Sequence, residues 1–179
     1  MPEANTTVWF ALQTFYSKEQ KVGLYLKEQR VDFFIPMIFS ISTDKDGNAV
    51  RKFRTAIHNL LFIKQSMPQE TLNKIVGNCP YPVRVYRKYD HPNEWYPIED
   101  SEILELRMIC DSSFQLSPIF KEHTETSIQV GKKIRVVHGP MKGMRGVMVR
   151  KNKKYFIIKT IANLDIVFSV SRWCCESDE

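Results

Sequence analysis

The side chains in this chain that could perform chemistry do not occur at catalytic or metal-binding spacings. The sequence has four histidines, and His58 and His138 stand apart from other metal-type ligands, so both are interpreted as surface or structural residues. The cysteines show no paired metal-ligand spacing; they are Cys79, Cys110, Cys174 and Cys175. No catalytic triad or cysteine–histidine pair can be argued from these positions. We therefore predict that the protein is not an enzyme and binds no metal and no cofactor.

The basic side chains are concentrated in the last third of the chain. Residues 128–179 carry 11 Lys and Arg against 4 Asp and Glu, whereas residues 1–127 carry 15 against 16, so the net charge of +6 arises at the C-terminal end. This asymmetry predicts two modules and a polyanionic partner, either a nucleic acid or an acidic protein. The densest cluster falls at a predicted hairpin tip and comprises Arg150, Lys151, Lys153 and Lys154. It either keeps a turn soluble or contacts RNA or an acidic partner, and we favour the contact.

Length and composition limit the class of protein. The chain has 179 residues, 43% of them hydrophobic and 12% aromatic, which is enough for one ordinary domain or two small ones with packed cores. No apolar run approaches the roughly 20 residues that span a bilayer. The N-terminus lacks the layout of a signal peptide, so the cysteines are expected to be reduced. We expect a soluble, cytoplasmic protein that does not contact membranes.

Strands and helices alternate in the predicted N-terminal module. Aromatic and β-branched runs predict strands, and Ser17 and Ser66 each begin a capping-box pattern that predicts a helix. A polar stretch at residues 42–48 predicts a hairpin tip. The predicted strands are 9–15, 33–39 (with a bulge or edge at Pro36), 59–64 and 83–86. Two predicted helices begin at Ser17 and Ser66, and a third spans 100–110.

The predicted secondary structure changes from mixed to all-β after a polar, aperiodic stretch at residues 111–127, which we interpret as a flexible linker. It separates a module at 1–110 from a module at 128–179. Four short β-rich runs at regular spacing predict a small barrel: 134–137, 146–150, 155–159 and 166–170. Their β-branched residues and intervening glycines disfavour helix, so we expect this module to remain all-β.

The strongest motif lies between the first two of these strands. Gly139, Gly143 and Gly146 permit positive φ or close backbone approach, and Pro140 fixes a turn beside Gly139. No helix follows, which argues against a phosphate-binding loop. Residues 131–150 resemble the KOW motif of ribosomal proteins and NusG-type transcription factors.

The N-terminal module resembles the NusG N-terminal (NGN) domain. The agreement lies in Trp9-Phe10, the helix from Ser17, and three segments: Phe34–Met37, Ile57–Ile63 and Pro97–Glu102. Across nearly its whole length the chain is therefore similar to the bacterial NusG family, and in scale to its RfaH and UpxY paralogues. The resemblance implies an α+β protein: an NGN α/β sandwich with an antiparallel sheet, a flexible linker and a small SH3-like KOW β-barrel.

The same resemblance implies a transcription elongation or antitermination factor, acting as a monomer on particular operons. In the family, the NGN domain binds the clamp helices and gate loop of RNA polymerase and the non-template DNA strand. This binding shifts the polymerase away from its paused state. The KOW domain recruits a ribosomal protein, a termination factor or RNA. The positions that match are Gln13, Ile57, Leu60 and Phe62 for the clamp, Thr71 for the gate loop, and Tyr16, Lys18 and Lys21 for DNA.

Each of these assignments has a simpler alternative. Strand alternation sends Leu61 and Ile63 to the face opposite Leu60 and Phe62, so at least one of Ile57, Leu60 and Phe62 is expected in the core. The DNA-facing lysines could equally form a solvated helix face. Where the family has Pro-Gly-Tyr or Pro-Asn-Tyr, this chain has His58-Asn59-Leu60. The alternative function is a KOW-type RNA-binding or ribosome-associated protein.

Overall fold

The chain divides into two compact units, Met1–Ile103 and Leu104–Glu179. The computed structural model describes residues 7–111, 119–122, 131–139, 141–161 and 164–178. The division falls inside a helix, α3 (Asp100–Cys110), whereas the modules predicted from the sequence, 1–110 and 128–179, stay a prediction. The second half of α3 belongs with the C-terminal strands, where Glu105 forms an ion pair of 2.8 Å with Lys159. The tertiary partner of a helix cannot be read from its own periodicity.

The N-terminal unit contains an antiparallel sheet centred on β1. Strand β1 pairs with β5, β6 and β7, and β2 pairs with the outer edge of β5. The predicted antiparallel α/β arrangement of this unit is confirmed. The strands are β1 (Val8–Thr14), β2 (Phe33–Phe34), β5 (Leu60–Lys64), β6 (Val83–Val85) and β7 (Pro97–Glu99).

Two helices, α1 (Glu19–Glu28) and α2 (Gln69–Gly77), cover one face of this sheet. Apolar side chains that alternate along β1 and β5 meet the helices' apolar faces. The resulting core contains Phe10, Leu12, Val22, Leu26, Leu61, Ile63, Leu72 and Trp95. The Tyr25 hydroxyl donates to the Ile75 carbonyl oxygen at 2.8 Å and ties the two helices together. Burial of this apolar surface is the main force that holds the unit together.

Neither predicted capping box forms. Helix α1 begins after Lys18 and α2 after Pro68, and neither cap position has a side-chain hydrogen bond. Ser17 instead has a left-handed backbone (φ 53°) and donates its N–H to the Asn59 side-chain oxygen. A tertiary contact from Asn59, in the turn before β5, has thus replaced the local cap.

The segment 33–39, predicted as one strand, is two. Pro36 separates β2 from β3 (Met37–Thr43), which pairs only with β4 (Ala49–Thr55) in a sheet of its own. The predicted hairpin tip lies between β3 and β4, where the Asp44 carboxylate accepts the backbone N–H groups of Asp46 and Asn48 at 2.9 and 2.8 Å. Pro36 has no N–H for a ladder, which is why the strand breaks there.

The C-terminal unit contains a six-stranded antiparallel sheet in the order β13-β9-β10-β11-β12-β8. The four predicted strands are present as β9 (Lys132–Val136), β10 (Arg145–Lys151), β11 (Lys154–Ile161) and β12 (Leu164–Val170). Two more strands were not predicted: β8 (Ile119–Glu122) and β13 (Cys175–Ser177), which follows a 3-10 helix at Arg172–Cys174. Strand β8 lies inside the stretch interpreted as a linker and pairs with β12, so this sheet begins before residue 128.

The glycine motif has the expected backbone role. Gly139 and Gly143 have φ of +86° and +95°, a region that other residues rarely adopt. Gly146 lies against β11, where a Cβ atom would come within 2.8 Å of the Ile158 carbonyl oxygen. Pro140, the fourth member of the motif, lies outside the described residues. The motif therefore turns the chain from β9 into β10 and lets β10 approach β11.

Candidate functional site

The turn after β1 presents an aromatic side chain to solvent. Tyr16 is 83% exposed, and Tyr16 and Ser17 are consecutive left-handed residues with φ of 58° and 53°. Such conformations are unfavourable for non-glycine residues and are maintained by neighbouring contacts. Here the contact is Asn59, whose side-chain oxygen accepts the Ser17 N–H at 2.9 Å.

Asn59 joins three segments of the N-terminal unit. Its carbonyl oxygen accepts the N–H of Thr14 at the end of β1 (2.9 Å). Its own N–H donates to the carboxylate of Glu19, which is buried in the first turn of α1. Asn59 itself has φ +58°, a conformation that asparagine tolerates better than most residues. Asn59 therefore has a structural role: it positions the turn that carries Tyr16.

Two lysines lie beside this turn. Lys18 is half-buried at the beginning of α1, and Lys21 is exposed on its first turn. The N-terminal end of a helix carries a partial positive charge, which adds to that of the lysines. Tyr16, Lys18 and Lys21 are thus brought together by the structure into an aromatic and cationic surface. This arrangement can stack on a base and contact phosphate groups.

The candidates for the polymerase contact do not share one surface. Gln13 and Leu60 lie directly opposite each other on β1 and β5, with Phe62 on the same face, whereas Thr71 is exposed on α2, which packs on the other face. Leu60 and Phe62 are buried, with 4% and 0% exposed. At least one residue of the clamp set was expected in the core, and both of these are.

Some accessible surface remains around the two buried side chains. Gln13 and Ile57 are half-buried, and Ile57 lies in the bend that precedes β5. Phe34 is also half-buried, and its ring stacks on Phe62 with centroids 6.2 Å apart. The sequence placed Phe34 in a family-like segment but gave no reason to expect it beside the clamp residues. Its cross-strand pairing with Phe62 is the feature that gives it a place beside the site.

The basic cluster of the C-terminal unit occupies a two-residue hairpin turn. Lys151 pairs with Lys154, and Asn152 and Lys153 between them have φ of 50° and 63°, as a type I′ turn requires. All four predicted cations are exposed. The guanidinium groups of Arg150 and Arg172 lie 5.4 and 5.9 Å from the ring centre of Tyr155. Arg172 was not among the predicted contact residues because it is distant in sequence.

Two further surfaces were missed by sequence reasoning. Trp173 is 75% exposed beside His138 in the C-terminal unit. In the N-terminal unit, the β3–β4 hairpin exposes Phe39 and Phe53, which contact each other. Isolated aromatic residues within polar stretches were the only signal in the sequence, and periodicity alone does not separate them from core residues.

Among the residues that the structure describes, no group of three or more His, Cys, Asp and Glu side chains could hold a metal ion. Within the same ranges, no helix is long and apolar enough to cross a membrane. Burial raises the pKa of the Cys110 thiol to about 12, which leaves this cysteine as an unreactive core residue.

A family model described as transcription termination factor nusG matches residues 7–107, more than half of the chain. The chain belongs to the NusG family. Members of the NusG family are non-enzymatic transcription factors that bind RNA polymerase, and the chain has a general role in transcription elongation. The match ends within α3, so the KOW identity of the C-terminal strands remains a prediction.

Two solved structures are similar to the chain over nearly its full length. A structure of the domain interaction in Thermotoga maritima NusG is 15% identical, with 99% of this chain and 100% of that chain covered and a TM-score of 0.49. A chain from the crystal structure of the MjSpt4:Spt5 complex in conformation B is also 15% identical, with coverage of 94% and 95% and a TM-score of 0.30. No curated protein sequence matches the chain. Membership of the NusG family rests on the family match.

Proposed function

We propose that this NusG-family protein binds the clamp of RNA polymerase through its N-terminal unit and suppresses pausing or termination on particular operons. The observation that carries the proposal is the family match over residues 7–107, which covers nearly all of the N-terminal sheet and its helices. The factor acts without bond chemistry. By binding the closed clamp more tightly than the open one, it shifts a two-state equilibrium of the enzyme.

The clamp contact is assigned to the accessible rim of the β1–β5 face. Ile57 and Phe34 provide apolar area, Gln13 provides a polar group, and the buried Leu60 and Phe62 support them from below. Thr71, exposed near the beginning of α2, is assigned to the gate loop. Because α2 packs on the opposite face of the sheet, the two contacts reach two separate parts of the polymerase.

The non-template DNA strand is assigned to Tyr16, Lys18 and Lys21. The exposed ring of Tyr16 suits stacking on a base, and the lysines suit phosphate contacts. In the C-terminal unit, Arg150, Lys151, Lys153 and Lys154 are assigned to a further partner: a ribosomal protein, a termination factor or RNA. Their position on a tight hairpin turn presents the four charges together.

An in vitro transcription assay with purified RNA polymerase and a template that carries a pause site tests the proposal. The full-length chain is expected to shorten the pause, and Ile57→Glu is expected to abolish this effect together with co-purification of the polymerase. Leu24→Glu is the matched control because Leu24 is an exposed apolar residue on α1, away from the β1–β5 face. No change in pausing or termination with the wild-type chain would refute the proposal.

RNA binding through the C-terminal unit is the second candidate function. It is favoured by Tyr155, whose ring has the guanidinium groups of both Arg150 and Arg172 within 6 Å of its centre and so forms part of a cationic, aromatic surface. An RNA-binding protein of this kind would retain RNA on its C-terminal residues and would fail to co-purify with RNA polymerase. Measuring both in the same preparation separates the two functions.

A further inference from the structure

The β3–β4 hairpin exposes an apolar and cationic face that none of the contacts above uses. Cross-strand register places Phe39 opposite Phe53 and Ile41 opposite Arg51, so these four side chains share one face. Phe39, Phe53 and Ile41 are 43%, 58% and 80% exposed. Three large exposed apolar side chains on one two-stranded sheet form a patch of the kind that marks a binding surface.

The geometry within this hairpin face suits flat ligands. The Phe39 and Phe53 rings lie with their centroids 4.8 Å apart and are tilted by 40°. The Arg51 guanidinium lies 4.5 Å from the centre of the Phe39 ring. An arginine held over an aromatic ring presents both a flat surface and a positive charge, which is the combination that binds an unpaired base and its phosphate.

Charge complementarity indicates a polyanion. The two strands carry Arg51, Lys52 and Arg54 and no acidic residue. All three of these basic residues are exposed. Arg51 lies on the hairpin face, whereas Lys52 and Arg54 alternate to the opposite face. The hairpin face therefore offers Arg51 beside its aromatic rings, and a phosphate backbone would pair with that charge.

The hairpin face is continuous with the surface assigned to DNA. The Gln20 side chain, in the first turn of α1 beside Lys18 and Lys21, contacts the Met37 sulfur at 3.8 Å. Met37 is on the same hairpin face as Phe39 and Ile41 because side chains alternate along β3. A single DNA strand that runs on from Tyr16 and the first turn of α1 would therefore reach Met37 and then the two phenylalanine rings.

We propose that the β3–β4 hairpin binds single-stranded DNA by stacking bases on Phe39 and Phe53, with Arg51 bound to the phosphate backbone. The choice of DNA rests on the proposed function, which puts the non-template strand at the beginning of α1. Stacking uses the flat face that every base has, so we expect the contact to tolerate any base sequence. It extends the DNA site beyond Tyr16, Lys18 and Lys21.

Fluorescence anisotropy of the full-length chain with a labelled 15-nucleotide oligo-dT tests this proposal without polymerase. Phe39→Leu with Phe53→Leu keeps apolar volume but removes the stacking surface, and we expect binding about tenfold weaker. Phe53→Trp keeps a stacking ring and should bind at least as tightly as the wild-type chain. Leu24→Ala is the matched control for loss of exposed apolar area and should leave affinity unchanged.

The charge contribution is measured by the salt dependence of binding. Arg51→Gln should reduce the slope of log affinity against log salt by about 0.7, the value for one phosphate contact on a single strand. Lys52→Gln removes the same charge from the opposite face of the hairpin and should leave the slope nearly unchanged. Equal effects of the two substitutions would overturn the assigned face.

Three other results would also overturn the proposal. Unchanged affinity of the double leucine variant would exclude stacking, and tighter binding of oligo-rU than of oligo-dT would assign the face to RNA. Concentration-dependent dimerisation that the double variant abolishes would assign it to a second copy of the chain. Because no polymerase is present, these outcomes are independent of the pausing assay: a chain that fails to alter pausing can still bind oligo-dT through the hairpin.

Discussion

The buried carboxylate of Glu19 accepts the backbone N–H of Asn59 at 2.5 Å and so links the beginning of α1 to the beginning of β5. We expect Glu19→Ala to lower the free energy of unfolding by about 1–3 kcal/mol, because a partly buried N–H loses its charged acceptor. Glu28→Ala, on the exposed end of the same helix, should change it by less than about 0.5 kcal/mol. Urea unfolding measures both, and equal values for the two variants would contradict the role of Glu19.

Gly143 and Gly146 are expected to resist substitution for different reasons. Gly143→Ala forces a side chain into a left-handed backbone conformation, which should destabilise the C-terminal unit by about 1–2 kcal/mol. Gly146→Ala should destabilise it at least as much because its Cβ would collide with the backbone oxygen of Ile158. Gly77→Ala is the control, since nothing lies within 4 Å and its φ is not positive. Thermal unfolding followed by circular dichroism should show losses for the first two variants alone.

Substitutions at the hairpin turn between β10 and β11 should affect the stability of the C-terminal unit and its binding to a polyanion in different ways. Lys153→Gly should stabilise the C-terminal unit by about 0.5–1 kcal/mol because Lys153 has φ 63° in a type I′ turn. The same change removes one of the four clustered charges and should weaken binding to a polyanion. Lys154→Gly removes the same charge from a strand and should destabilise the unit. Thermal melts that rank the two variants in the other order would contradict this turn.

The buried thiol of Cys110 should make the free energy of unfolding depend on pH in the alkaline range. Burial raises the pKa of its thiol from about 9 to about 12, so folding favours the neutral thiol. The contribution is fully present below pH 9 and is lost as the pH rises towards 12. The advantage of the wild-type chain over Cys110→Ala should therefore shrink between pH 8 and pH 10.5. Urea unfolding at several pH values measures this advantage, and a constant difference would contradict the burial of an ionisable thiol.

The strands were the most predictable part of the fold. The apolar run of β5 and the four β-rich runs of the C-terminal unit were each long enough for their alternation to be read directly. Strands β8 and β13 were not predicted because they are short, and only their pairing with β12 and β9 makes them strands. Local pattern cannot reveal a partner that lies elsewhere in the chain.

The candidate site was less predictable than the fold. Alternation correctly put Leu60 and Phe62 on the same face of the sheet. It does not say whether other residues cover that face, and both side chains are in fact buried. The cap expected from Ser17 was replaced by a bond to Asn59, 42 residues away. The hairpin surface was overlooked because the acidic residues elsewhere in 1–127 cancel the charge of Arg51, Lys52 and Arg54 in a segment-wide count.

The β3–β4 hairpin takes all its ladder partners from within itself, in a sheet separate from that of β1. Its length, charge and aromatic content can therefore drift during evolution without disturbing the interior of the domain from which it projects. The β3–β4 hairpin is therefore an element that can be exchanged as a unit. Chimeras that swap only residues 37–55 between relatives should inherit the donor's ligand preference on an otherwise unaltered scaffold.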